Sequence, residues 1–340
     1  LWLLTPCILY GTLVDTFYGL LDVQEPVLIE LIDSPAFNRL KGVRQYGVAY
    51  YTTHPEEFTR YDHSLGVFAI LRLQGASLET QIAGLLHDVS HTVFSHVGDW
   101  IFDKAHQAVD YQNTIHAWHL TQSGLGDILK RHGFTLEEVQ PSAHPALECP
   151  LPDLCADRID YNIQGAYHRG LITYEQAQAL RDGLQFIEGK WVSADVEGMR
   201  RLARFSLLMT QECWGSPAND LTSRWLAEAL KRAVSIGSLS LDEIHFGEDQ
   251  AVWELLIHEE DPLIRQNMER LAHVEDYYSL VEPSKADYIV KSRFRGIDPW
   301  IAKGERLVRL TALDPVFREE YRGVQQTIDH GWPVCLHPLP

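Results

Sequence analysis

The chain has 340 residues, of which 45% are apolar, and a formal charge of −18. That length and apolar content suit one large domain or two, each with a sizeable core. The acidic balance argues against a nucleic-acid polymer as partner, because such binding is driven by Lys and Arg displacing counterions along the phosphate backbone; a small anionic substrate would need a local positive pocket.

The start, Leu1-Trp2-Leu3-Leu4-Thr5-Pro6, is apolar but lacks a positive leading region, and no stretch approaches the roughly 18 apolar residues of a membrane span. Neither a signal peptide nor a membrane anchor is therefore expected. Cys7, Cys149, Cys155, Cys213 and Cys335 are odd in number and not at zinc-finger spacing. They fit small core residues in a reducing, cytoplasmic setting.

Residues 9 to 23, with Gly and β-branched residues and little helical period, predict a short extended arm or hairpin. Pro26 opens a helix with Leu28, Leu31 and Ile32 on one face, and Ser34-Pro35 breaks it before a second short helix through Phe37 and Leu40. Arg39, Lys41 and Arg44 then place three cations in six residues. They read as a solvated face or, in so acidic a chain, as a phosphate contact.

Thr59 to Val67 runs into an apolar helix to Leu73, with His63 near its start. Gly75-Ala76-Ser77 predicts a turn, with Ser77 capping a second, antiparallel helix through Ile82 to Leu86. That pairing would bring His63 to face His87. The stretch that follows places His87, Asp88, His91 and His96 within ten positions directly after a buried apolar run. Polar groups so close to a core cost roughly 1–3 kcal/mol each if left without partners, and a metal ion would supply one. On a continued helix His87 and His91, four apart, would share a face, with Asp88 near enough to reach a common point.

The helix predicted over Tyr111–Thr121 carries His116 and His119, read as structural or surface residues. Two short helices and a Pro-containing connection fill 124–150. A further helix begins in Leu151-Pro152-Asp153-Leu154-Cys155-Ala156-Asp157-Arg158-Ile159-Asp160-Tyr161, where Asp157 matters if it points inward. A helix over Tyr174–Leu184 precedes a hairpin turning at Gly189, and two longer helices follow, Asp195–Trp214 and Pro217–Val234. Beyond a soft boundary near Gly237, helices are expected around Val252–Ile257 and Leu263–Leu271, an alternating strand over Asp287–Arg295, a turn at Gly296–Pro299, and a helix from Pro315 to about Gln326. The resulting division is 1–236, a helical domain with an N-terminal arm, and 237–340, a C-terminal α+β region.

His63, His87-Asp88 and Asp157 form an ordered set. In Arg60-Tyr61-Asp62-His63-Ser64-Leu65-Gly66-Val67, in Leu85 to His96 and in Ala156-Asp157-Arg158-Ile159-Asp160-Tyr161, the chain resembles the HD-domain phosphohydrolases, in the branch that includes deoxynucleotide triphosphohydrolases. The resemblance covers about residues 25 to 175. It implies a mainly α fold, an HD-domain helical bundle with a short N-terminal β arm and a small α+β C-terminal region.

It further implies a metal held by His63, His87, Asp88 and Asp157. Two imidazoles and two carboxylates suit Mn²⁺, Fe²⁺, Co²⁺, Ni²⁺ or Zn²⁺, with Mg²⁺ also admitted. Such an ion acidifies bound water and offsets charge on a phosphoryl group, which points to metal-assisted hydrolysis of a phosphoester or phosphoanhydride of a nucleotide or similar small metabolite. Asp88, His91 and His96 would form the catalytic group, with His91 favoured as proton donor. Arg60 and Arg158 would hold phosphate oxygens, and Tyr161 is a candidate sugar contact. The expected partners are that substrate and a second copy of the chain, with no membrane.

Two departures from the branch stand out: Tyr111-Gln112-Asn113 replaces a His-Glu pair, and Gly165 replaces a carboxylate four residues past Tyr161. Two other readings follow, a nucleotide sensor without turnover, and a di-iron oxygenase drawing further ligands from His91, His116 or His119.

Overall fold

The computed structural model describes residues 11–105, 107 and 109–338; the apolar start Leu1–Pro6, Cys7 and the first two residues of the expected arm lie outside them. The arm is a hairpin, Thr12–Thr16 against Gly19–Val23. Pro26–Asp33 is helical, and Ser34 ends it and caps the next short helix, Pro35–Asn38, by accepting Phe37 N–H on its hydroxyl. The body that follows is mainly helical.

Two antiparallel helices position His63, within the first, and His87, at the C-terminal cap of the second. Arg60–Leu73 starts with a capping box in which Thr59 and Asp62 satisfy each other's backbone donors. Leu78–Leu86 is capped by Ser77. A third helix, Ala156–His168, packs beside the first. Its close approach depends on Gly66, where a Cβ would run into the Asp160 carboxylate. The helix begins five residues later than the segment from Leu151 suggests, because Leu151–Leu154 forms turns around Pro152 and Cys155 is extended.

Buried side chains form two cores. One gathers the arm and the helices named so far with Val196–Met209; the other gathers Pro217–Ile236, Asp249–His258 and Pro262–Ala272 with Val93, Phe94 and Val97. The turns between residues 87 and 96 therefore cross from one core to the other, since Val89 belongs to the first.

Strands from distant parts of the chain meet in a four-stranded sheet ordered Leu184–Ile187, Lys190–Ser193, Trp300–Lys303, Arg306–Arg309. Its middle pair is parallel, with Val192 opposite Trp300. The alternating stretch 287–295 is a strand only over Tyr288–Val290, paired with Trp332–Leu336. From Lys291 onward it makes no ladder and instead runs along a cavity wall, with Lys291, Arg293 and Arg295 among its lining residues.

Candidate active site

A cavity of about 740 Å³ opens where the two cores meet, and His87, Asp88, Asp157, Arg158 and Tyr161 all line it. At its floor four side chains converge. His63 Nε2 lies 3.2 Å from His87 Nε2, 3.0 Å from Asp157 Oδ1 and 3.6 Å from Asp88 Oδ2. His87 Nε2 lies 3.5 Å from Asp88 Oδ1 and 3.7 Å from Asp157 Oδ1.

The outer nitrogens set the tautomers. His63 Nδ1 donates to the buried Asp160 carboxylate at 2.7 Å, and His87 Nδ1 donates to the Gly84 carbonyl at 2.8 Å. Both Nε2 atoms then face the gap between the rings, where a cation or a proton can sit. With no ion bound, a proton takes that place. Burial opposes charge on His63, yet hydrogen bonds to Asp157 and Asp160 outweigh it and hold the ring up at about 10. Burial likewise opposes ionisation of Asp157, but hydrogen bonds from His63 and His87 keep it well below the usual carboxylate range. His63, His87 and Asp88 place one ligand atom each within 4.8 Å of one another. The donor set fits a divalent ion with N and O ligands.

Asp88 has a second partner in Arg60, whose Nη1 is 2.5 Å from Oδ2 while its Nε donates to Ser95 Oγ at 2.9 Å. Arg60 is buried, so although it lines the cavity its guanidinium serves the turn and the carboxylate. Arg158 donates to the Asp153 carbonyl at 2.9 Å and also lines the cavity. The Tyr161 ring packs edge-on to Trp214, 5.7 Å between centroids, and 6.3 Å from the His63 ring.

The continued helix through His91 does not form. The helix ends at Leu86, and residues 87–96 are turns in which Phe94 and Ser95 take positive φ. The reason lies in where the backbone donors go: Val93 N–H bonds to Ile244 and Phe94 N–H to the Asp249 carboxylate, both from the far end of the chain. His91 still reaches Asp88 Oδ1, at 3.3 Å, from the turn rather than along a helix face. Burial, and then the Arg60 charge, push His91 down to about 3. His96 sits differently: its ring is half-exposed on the cavity wall, with Nδ1 3.2 Å from Asp99 and 3.9 Å from Asp110.

His116 and His119 are buried structural residues rather than surface ones, His116 bonding the Leu86 carbonyl at 3.0 Å and His119 stacking on Phe246. Neither joins the His63–His87 cluster. Residues that sequence reasoning passed over are Asp99, Asp110, Arg293 and Arg295, all on the cavity wall. Asp99 and Asp110 had no spacing signal, and the arginines lie almost two hundred positions beyond His96.

Residues 60–148 match the HD domain family model. Over 320 residues the chain is 32% identical to the uncharacterized protein YdhJ of Bacillus subtilis, covering 93% of this chain and 96% of that one. It is 33% identical over 264 residues to the metal-dependent phosphohydrolase cns2 of Cordyceps militaris, covering 76% of each. A shorter match, 27% over 198 residues, is to the deoxynucleoside triphosphate triphosphohydrolase SAMHD1 of Danio rerio, and it spans 52% of this chain and 31% of that protein. The fold is shared with a phosphohydrolase from Bacteroides thetaiotaomicron, at TM-score 0.67 and 16% identity, over 96% of this chain and all of that one. Fold and cluster together define an HD-domain protein. The chain belongs to the HD-domain metal-dependent phosphohydrolases, and it is an enzyme.

Proposed function

We propose that this enzyme hydrolyses a phosphoester or phosphoanhydride bond of a nucleotide or a similar small phosphorylated metabolite, with the ion held by His63, His87, Asp88 and Asp157. The convergence of those four side chains at the floor of a cavity large enough for a nucleotide carries the reading. The ion, when bound, supplies Lewis acidity toward a phosphoryl oxygen and a more acidic water.

The protein's own groups supply the rest. Asp160 and the Gly84 carbonyl hold the two imidazoles with Nε2 directed inward. Arg158 and Tyr161 line the cavity beside Asp157 and are assigned to the phosphate and the sugar or its equivalent. His96 rather than His91 is assigned as proton donor: its half-exposed ring stands on the cavity wall with Nδ1 oriented by the Asp99 carboxylate, whereas His91 is buried and held neutral. Support for a nucleotide comes from the partial likeness to a protein named as a deoxynucleoside triphosphate triphosphohydrolase.

The test is a screen of nucleotides and sugar phosphates for released phosphate, pyrophosphate or triphosphate with Mn²⁺, Co²⁺ and Mg²⁺. Metal-dependent release from at least one nucleotide is expected. Nucleotide binding without release at any metal would instead support a sensor and overturn the reading.

A further inference from the structure

The turn from Asp88 to His96 carries two of the groups assigned above, yet no helix or strand fixes it. Its register is set from elsewhere. Arg39, buried beneath it, donates from Nη2 to the carbonyls of Val89 at 2.9 Å and His91 at 2.7 Å, and from Nη1 to the carbonyl of Gly247 at 3.0 Å. Asp249, fully buried at the first turn of the helix Asp249–His258, accepts Phe94 N–H on one oxygen at 2.6 Å and Arg44 N–H on the other at 2.8 Å.

Those contacts fall where the backbone resists its own conformation. Phe94 and Ser95 have φ of 56° and 55°, a left-handed pair that non-glycine residues keep only when their surroundings impose it. On the opposite side Gly47 closes the turn in, since a Cβ there would lie 2.5 Å from the Phe94 carbonyl oxygen. Neither Arg39 nor Asp249 lines the cavity.

We infer that Arg39 and Asp249 are positioning residues for hydrolysis, holding the Asp88–His96 turn in its productive register, and that the C-terminal segment bearing Gly247 and Asp249 is thereby part of the catalytic apparatus. Through Arg44 the same Asp249 carboxylate ties the turn to the neighbouring wall at Gln45 and Tyr46. The inference rests on the assignment of Asp88 as a ligand and His96 as proton donor, because those are the groups the turn presents.

The test uses the full chain and the substrate found by the screen above, with Asp249→Asn, Arg39→Lys, Arg39→Gln and, in parallel, His96→Ala. Asn can accept only one of the two backbone donors, so Asp249→Asn is expected to lower kcat at least about tenfold, with KM within about threefold and metal content unchanged. Leu271→Ala, in the second core, serves as a control that lowers Tm and leaves kcat alone. Arg39→Lys should keep more of kcat than Arg39→Gln, since it retains a cationic donor. Should Asp249→Asn fail to fold, the Arg39 pair decides. If His96→Ala is inactive while Asp249→Asn, or both Arg39 variants, keep kcat within about twofold of the parent, the positioning role is overturned and the site assignment stands. If His96→Ala retains full kcat, it is the assignment of the proton donor that fails.

Discussion

His63 Nε2 stands 3.2 Å from His87 Nε2, although the two are 24 positions apart and each ring is anchored from behind by an acceptor of its own. That separation calls for positive charge between the rings, a proton on one Nε2 or a bound ion in its place. The carboxylates of Asp88 and Asp157 complete the ring around the gap, which turns a packing oddity into a site that takes a cation.

The anchor behind His63 should matter as much as a ligand. Asp160→Ala removes the acceptor for Nδ1–H and frees the imidazole to rotate. Metal affinity, read by titration with a chelator, is expected to fall about 10–100-fold, with Asp160→Asn losing less because an amide oxygen still accepts.

Proton donation separates two histidines that look equivalent in the sequence. His96→Ala is expected to lower kcat about 10²–10⁴-fold with little change in KM. Asp99→Asn should lower it less, because the ring loses the carboxylate that orients Nδ1. An unchanged kcat would remove Asp99 from the scheme.

Arg158 is assigned to substrate rather than to the ion. Arg158→Ala should raise KM for the phosphorylated substrate about tenfold or more while metal content stays at the parental level. A variant that loses metal instead would place Arg158 among the groups supporting the ligands.

Acid should destabilise the fold through a histidine far from the reaction. Burial, and then the Arg39 charge, lower His119 from 6.5 to about 3, so the folded state resists a proton that the unfolded chain accepts. The stabilisation is fully present above about pH 6.5 and is lost as pH falls toward 3, with a slope of at most about 1.4 kcal/mol per pH unit from this one group. Tm measured between pH 7 and pH 5 should therefore fall, and His119→Gln should flatten that dependence.

Much of this was legible from the residues. Capping at Ser77, the hairpin at Gly189 and the facing of His63 and His87 follow from local rules, since a cap, a turn and two antiparallel helices are specified by adjacent residues. Asp157 stood out in its motif, whereas the part of Asp160, three along the same helix, shows only once that helix packs against His63. The path of residues 87–96 was not legible. Local spacing favours a continued helix there, and the donors are drawn off by Ile244 and Asp249, about 150 residues away. The parallel pairing of Lys190–Ser193 with Trp300–Lys303 was hidden for the same reason, because four-residue strands carry too little alternation to announce a distant partner.

Metal content per chain, measured beside phosphate release, tests the central assignment most directly in Asp88→Ala and His87→Ala. The parent should hold one divalent ion per site, and both variants should lose the ion and the activity together while keeping the helical far-ultraviolet signature. Parental metal content in either variant would contradict it.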